Sequence, residues 1–160
     1  GDEPLIAPEN IDRVVRPLLE NAIESTVTLR ILIKSCEELM DRNVTKVVVD
    51  NSNSALYFSK APIPWDRDKW GGDSIEYSSF DPLKSFWYKH IGLYAYRKKF
   101  LMGFGSLPDS GLEKIEKLEQ LRILEGGFKI KVVETNIDSI GVDCEADLAI
   151  IEKHLAAVLP

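Results

Sequence analysis

The chain is 160 residues long, enough for one domain with a substantial core. Hydrophobic residues make up 44% and charged residues 29%, the balance of a globular, soluble protein. The net charge is -6, from 20 basic and 26 acidic residues, and no basic block rises out of it, which argues against nucleic acid and anionic membrane as partners. Apolar runs such as "ILI" and "KVVVD" are far too short to cross a bilayer. Residue 1 begins no basic or apolar leader. Cys36 and Cys144 make neither a C-x-x-C pair nor a disulfide framework, so a cytoplasmic site is expected. His90 and His154 are not spaced as a metal motif.

In chain order, Pro8 suits the first position of a helix. Ile11, Val14, Val15, Leu18 and Ile23 recur behind it at helical spacing, and Pro17 predicts a kink or break. "STVTLRILIK" is rich in β-branched residues and predicts a strand, and "CEELMDR" a short helical turn. "TKVVVD" and "SALYFSK", separated by "NSNS", predict a hairpin. The prolines and glycines of "APIPWDRDKWGGD", continued by "DSIEYSSFDP", predict a long extended loop.

"FWYKHIGLYAY" is the next predicted strand. "DSGLEKIEKLEQLRILEGG" predicts one long helix. Ser110 and Glu113 form a capping-box pattern, Leu112, Ile115, Leu118, Leu121 and Leu124 lie near one face, and Gly126-Gly127 stop it. "FKIKVVET" is a further strand and "EADLAIIEKHLAAV" a last helix. Strands separated by helices predict an α/β sheet in one domain over residues 1–160.

Several residues stand where chemistry is done in such sheets. Asp2 in "GDEP" and Asp143 in "IGVDCEADL" are lone acids in loops outside strand ends, where α/β sheets bind ligands. Each is a hard-oxygen donor suited to Mg²⁺. From spacing alone, Asp143 reads first as a helix N-cap and Asp2 as a solvated acid. In "YKHIGLYAY" the two-residue period sets Lys89, Ile91, Leu93 and Ala95 on one face. Tyr88, His90, Gly92, Tyr94 and Tyr96 fall on the other, a face that suits a polyhydroxylated anion or is simply an aromatic strand face. Glu119 and Gln120 flank the helix stripe, and Lys60 ends a strand before a rigid Pro-x-Pro segment; all three read also as exposed polar residues. No Gly-rich phosphate loop of either common kind is present.

Taken together, "GDEPLI", "KVVVD", "ALYFSKAPIPWDRD", "YKHIGLYAYRKKFL", "LEKIEKLEQLRILEGGFKIKVVET" and "IGVDCEADL" resemble, in order, segments of the CMP-Kdo synthetases, the 3-deoxy-manno-octulosonate cytidylyltransferases. The resemblance covers the whole chain. It implies a three-layer α/β/α Rossmann-like sheet with a β-hairpin excursion, usually a cytoplasmic homodimer. It implies transfer of a cytidylyl group from CTP to the sugar acid Kdo, with Mg²⁺, giving CMP-Kdo and pyrophosphate for lipopolysaccharide synthesis. On the matching positions Asp2 and Asp143 hold the metals, and His90, Tyr94, Glu119 and Gln120 hold Kdo.

Lys60 stands where the family usually has a sugar-contacting arginine, which keeps the charge and loses the bidentate fork. That departure leaves room for a sister enzyme acting on 8-amino-Kdo or another sugar acid. Family members also carry a strand and a basic phosphate-cradling loop ahead of GDEP. The chain is therefore expected to be the C-terminal part of a longer enzyme and to be inactive alone, or to be a sugar-binding or dimerisation fragment.

Overall fold

A computed structural model describes residues 5–21, 23–70 and 86–139. The predicted last helix and the whole of the loop "DSIEYSSFDP" lie outside these residues.

Helix α1 (Pro8–Glu20) begins on Pro8, as its fixed φ favours. It is followed by β1 (Thr26–Leu32), α2 (Cys36–Met40), β2 (Lys46–Val49) and β3 (Ala55–Ser59). Ser35 caps α2, its side chain accepting from the Glu38 amide. A short helix α3 (Arg67–Trp70) interrupts the predicted extended loop. Then come β4 (Tyr88–Tyr96), α4 (Lys98–Phe104), α5 (Gly111–Glu116), α6 (Gln120–Glu125) and β5 (Lys131–Glu134).

The five strands form one mixed sheet in the order β3-β2-β4-β1-β5. β1 runs antiparallel to β4 and parallel to β5. Buried Val14 of α1 packs with Val27, Leu29, Ile31 and Ile91 on one face. Leu118, Leu121 and Ile123, from α6 and the bend before it, pack with Val47, Phe58, Ile130 and Val132 on the other. Helices therefore cover both faces, and the expected α/β/α layering holds. Trp70 and Trp87 stack at 5.0 Å and close one end with Ile33 and Leu39.

The hairpin is a continuation of this sheet. Its turn is held by the Asp50 carboxylate, which accepts from the amides of Ser52 and Ser54, each at 2.8 Å. β2 joins β4 through two residue pairs, Lys46 with Lys89 and Val47 with Tyr88. Beyond the turn the Ala55 amide donates to Ile130 O (2.8 Å) and the Val132 amide to Asn53 O (2.8 Å). The hairpin thus reaches from the β4 edge to β5 and brings the two edges of the sheet together at its tip.

Pro17 lies inside α1, and the helix runs on through it to Glu20 without a break. Other expectations are corrected. Ile23 falls beyond the helix and is exposed. The single helix over residues 109–127 is two helices, with Lys117 left-handed between them (φ 58°). The leucine stripe explains the break. Its members are spaced by three, and three residues turn an α-helix through about 300°, so the stripe slips by about 60° at each step. A straight helix could not bury all five. The bend buries Leu118 and Leu121 and leaves Ile115 exposed. Ser110 does cap α5, accepting from the Glu113 amide at 2.9 Å. The Glu113 carboxylate does not reach back to complete the box, because it pairs with Arg122 across the bend at 2.6 and 2.7 Å.

Candidate active site

β4 carries the densest group of predicted residues. Between Thr28/Leu29 of β1 the register jumps from Tyr94 to Ile91, so Gly92 and Leu93 of β4 have no β1 partner. Because the bulge holds two residues, the alternation of faces survives it. Ile91, Leu93 and Ala95 pack toward α1, and Tyr88, Tyr94 and Tyr96 toward α4–α6. His90 and Tyr94 have ring centroids 5.3 Å apart, and Tyr94 stacks on Tyr96 at 5.6 Å. Phe58 of β3 meets the His90 ring edge-on at 5.0 Å.

His90 is held down to a pKa of about 3, first by burial and second by the Lys60 ammonium. Its Nε2 lies 2.9 Å from Thr28 Oγ1. Burial holds the Tyr94 phenol well above its ordinary value, with Tyr96 and the Glu119 carboxylate adding to it. Burial and then Glu119 push Tyr96 up to about 12. The Thr28 hydroxyl opposes the rise at Tyr94, but the buried Tyr94 hydroxyl makes no hydrogen bond of good geometry among the described residues. A buried phenol without a partner costs about 1–3 kcal/mol and is a group that a polar ligand can satisfy.

Lys60 follows β3, and its Nζ donates to Asn43 O at 2.8 Å. Its backbone is pinned by Glu116 at the end of α5. The Glu116 carboxylate accepts from the Lys60 amide (3.0 Å) and from Ser59 Oγ (2.7 Å). Beside it the Lys46 side chain is fully buried, with Nζ donating to the carbonyls of Asp41 (2.8 Å) and Val44 (2.6 Å). Burial lowers its pKa to about 8, opposed by Asp41; Lys60 lowers it further and Glu116 raises it. Gln120, the first residue of α6, is buried, and Glu119 precedes it at the bend.

The structure thus puts His90 and Tyr94 in ring contact, with Lys60 acting electrostatically on His90 and Glu119 on Tyr94; Gln120 follows Glu119 in the chain. Asp2 and Asp143 lie outside the described residues, and among those residues no group of three His, Cys, Asp or Glu could hold a metal ion. Sequence reasoning missed Thr28, Lys46 and Glu116. Glu116 stands in the "LE-IE-LEQLR" run and was open to notice; a threonine in a β-branched strand carries no separate signal.

Residues 1–130 match the family described as cytidylyltransferase. A 3-deoxy-manno-octulosonate cytidylyltransferase of Pelobacter propionicus is 47% identical over 158 residues, covering 99% of this chain and 61% of that protein. Its counterpart in Geobacter sulfurreducens is 48% identical over 154 residues, covering 96% of this chain and 61% of that protein. A solved structure of CMP:2-keto-3-deoxy-manno-octonic acid synthetase complexed with CTP superposes with a TM-score of 0.82 at 32% identity, covering 99% of this chain and 60% of that one. The chain therefore spans about three fifths of the length of these relatives. With the match running from Gly1 through the second core layer to Ile130, the chain belongs to the cytidylyltransferase family.

Proposed function

We propose that the chain carries the acceptor-sugar side of a CTP-dependent transferase that joins CTP to Kdo, giving CMP-Kdo and pyrophosphate. The observation that carries this reading is the His90–Tyr94 ring pair on one strand face, its phenol buried, with Lys60 and Glu119 acting electrostatically on the two rings. A sugar acid offers what that group lacks: a carboxylate for a cation and hydroxyls for an imidazole, a phenol, a carboxylate and the Gln120 amide. The relatives' names point to the same sugar and the same nucleotide.

In the reaction the anomeric hydroxyl of Kdo attacks the α-phosphorus of CTP. A new C–O–P link forms as the hydroxyl gives up its proton to water, the bond to the β-phosphate breaks, and pyrophosphate leaves. The five residues fix the hydroxyl's position, and positioning supplies much of the acceleration in such transfers. Asp2 and Asp143 are hard-oxygen donors of the kind Mg²⁺ takes; the ion would offset charge on the phosphates. We place the reaction in the cytoplasm, in a homodimer, with residues 1–160 as one domain.

The test is binding of each substrate to Lys60→Ala in the complete enzyme. A hydrogen bond to a charged group contributes about 1.5–3 kcal/mol. Calorimetry is therefore expected to show Kdo weakened roughly ten- to hundredfold and CTP unchanged. Equal losses for both, or none, remove Lys60 from the sugar pocket. In the full-length enzyme Asp143→Asn keeps any helix cap and removes the charge; preserved turnover there with an ordinary Mg²⁺ requirement would leave Asp143 no metal role.

A further inference from the structure

We propose that Thr28 is a positioning residue: it holds the neutral His90 ring with its proton on Nε2 and so leaves Nδ1 as a bare acceptor for a hydroxyl of the acceptor sugar. The argument is a proton count. Thr28 Oγ1 lies 2.9 Å from Leu93 O, 3.2 Å from Ile91 O and 2.9 Å from His90 Nε2. A hydroxyl has one proton to give and two lone pairs to receive with. Both carbonyls can only accept, so the single proton points to them, with the shorter contact to Leu93. The one remaining contact must be received by the hydroxyl, and its donor is the Nε2–H of His90. The opposite arrangement, with the hydroxyl donating to a bare Nε2, sets its lone pairs against two carbonyl oxygens at 2.9 and 3.2 Å.

The β4 bulge is what creates the demand. Gly92 and Leu93 have no β1 partner, and the carbonyls flanking that gap are the two the Thr28 hydroxyl serves. A backbone irregularity, a threonine and an imidazole thus form one network, in which Thr28 is fully buried. Nδ1 makes no hydrogen bond among the described residues. The low pKa of the ring agrees with a group that works as a neutral acceptor. Orientation of an imidazole through its far nitrogen is a general way to set a tautomer.

The proposal rests on the sugar-acid reading of the site, while the first measurement does not. The chain has two histidines, and His154→Gln leaves one ring to observe. In ¹⁵N-histidine-labelled protein at neutral pH, His90 is expected to show a protonated, slowly exchanging Nε2 and a bare Nδ1. Thr28→Ser keeps the hydroxyl and should reproduce this. Thr28→Val should give mixed tautomers and a fast-exchanging ring proton. A proton on Nδ1 in the unsubstituted Thr28 protein overturns the proposal without any further variant, as does a Thr28→Val spectrum identical to it. Losing one neutral hydrogen bond should weaken Kdo about two- to tenfold in Thr28→Val, with CTP unchanged and the affinity restored in Thr28→Ser. Kdo that binds without moving the Nδ1 resonance overturns the sugar half of the proposal. Kdo that does not bind at all overturns the function reading and leaves the tautomer result standing.

Discussion

His90 had a face assigned by the two-residue alternation of "YKHIGLYAY", and the structure keeps that face. What the alternation could not give was its neighbours. Lys60 arrives from just past a strand, 30 positions earlier, and Thr28 from another strand altogether. The consequence for acid stability has a definite sign. An unfolded histidine titrates near 6.5, and in the fold His90 stays neutral down to about 3. Between those values the unfolded chain binds a proton that the folded chain refuses, so stability falls as pH drops through this window. Denaturant unfolding at pH 7 and pH 5 should show a smaller loss for His90→Gln than for the unsubstituted chain. An identical loss in both would mean that the ring titrates normally.

At the scale of elements, existence was more legible than continuity. β1, β2, β3, β4 and β5 all lie within the predicted strands, because β-branched runs bounded by turn residues mark them. The long helix failed because its capping box and terminal glycines mark ends, and nothing but the three-residue leucine spacing marks a bend. Lys117 adopts a left-handed conformation in that bend, at φ 58° and ψ 41°. A side chain there costs about 1–2 kcal/mol relative to glycine in the folded state, partly offset by glycine's greater freedom when unfolded. Lys117→Gly should therefore raise unfolding stability by up to about 1 kcal/mol, and Lys117→Val, β-branched, should lower it. Because Glu119 and Gln120 follow at once, the proposed sugar role of these residues means that Lys117→Val should also weaken Kdo binding. A destabilised Lys117→Gly, measured by chemical denaturation, would show that the bend is not strained.

For the molecule as a whole, alternating strand and helix patterns were enough to anticipate a layered sheet. They could not reveal that the hairpin tip would meet β5, since Ser54 and Lys131 bear no mark of each other. That meeting governs the order in which the structure can be assembled. The hairpin closes a loop of only a few residues, at small entropic cost. The β1–β5 pairing joins groups as far apart as Arg30 and Glu134, 104 positions in sequence. Thr135, just past β5, bonds Asn10 of α1 across 125. Distant pairings are won late, after nearer contacts have shortened the effective loop. Val132, buried in β5, should then be absent from the folding transition state, and Val47 in the hairpin present in it. Each truncation to alanine should cost about 2 kcal/mol at equilibrium. In stopped-flow experiments Val132→Ala is expected to spend that loss on faster unfolding, and Val47→Ala on slower folding; the reverse pattern would mean that β5 docks first. Kinetic persistence of the folded chain is accordingly set at its β5 seam, the last contact secured and the first released.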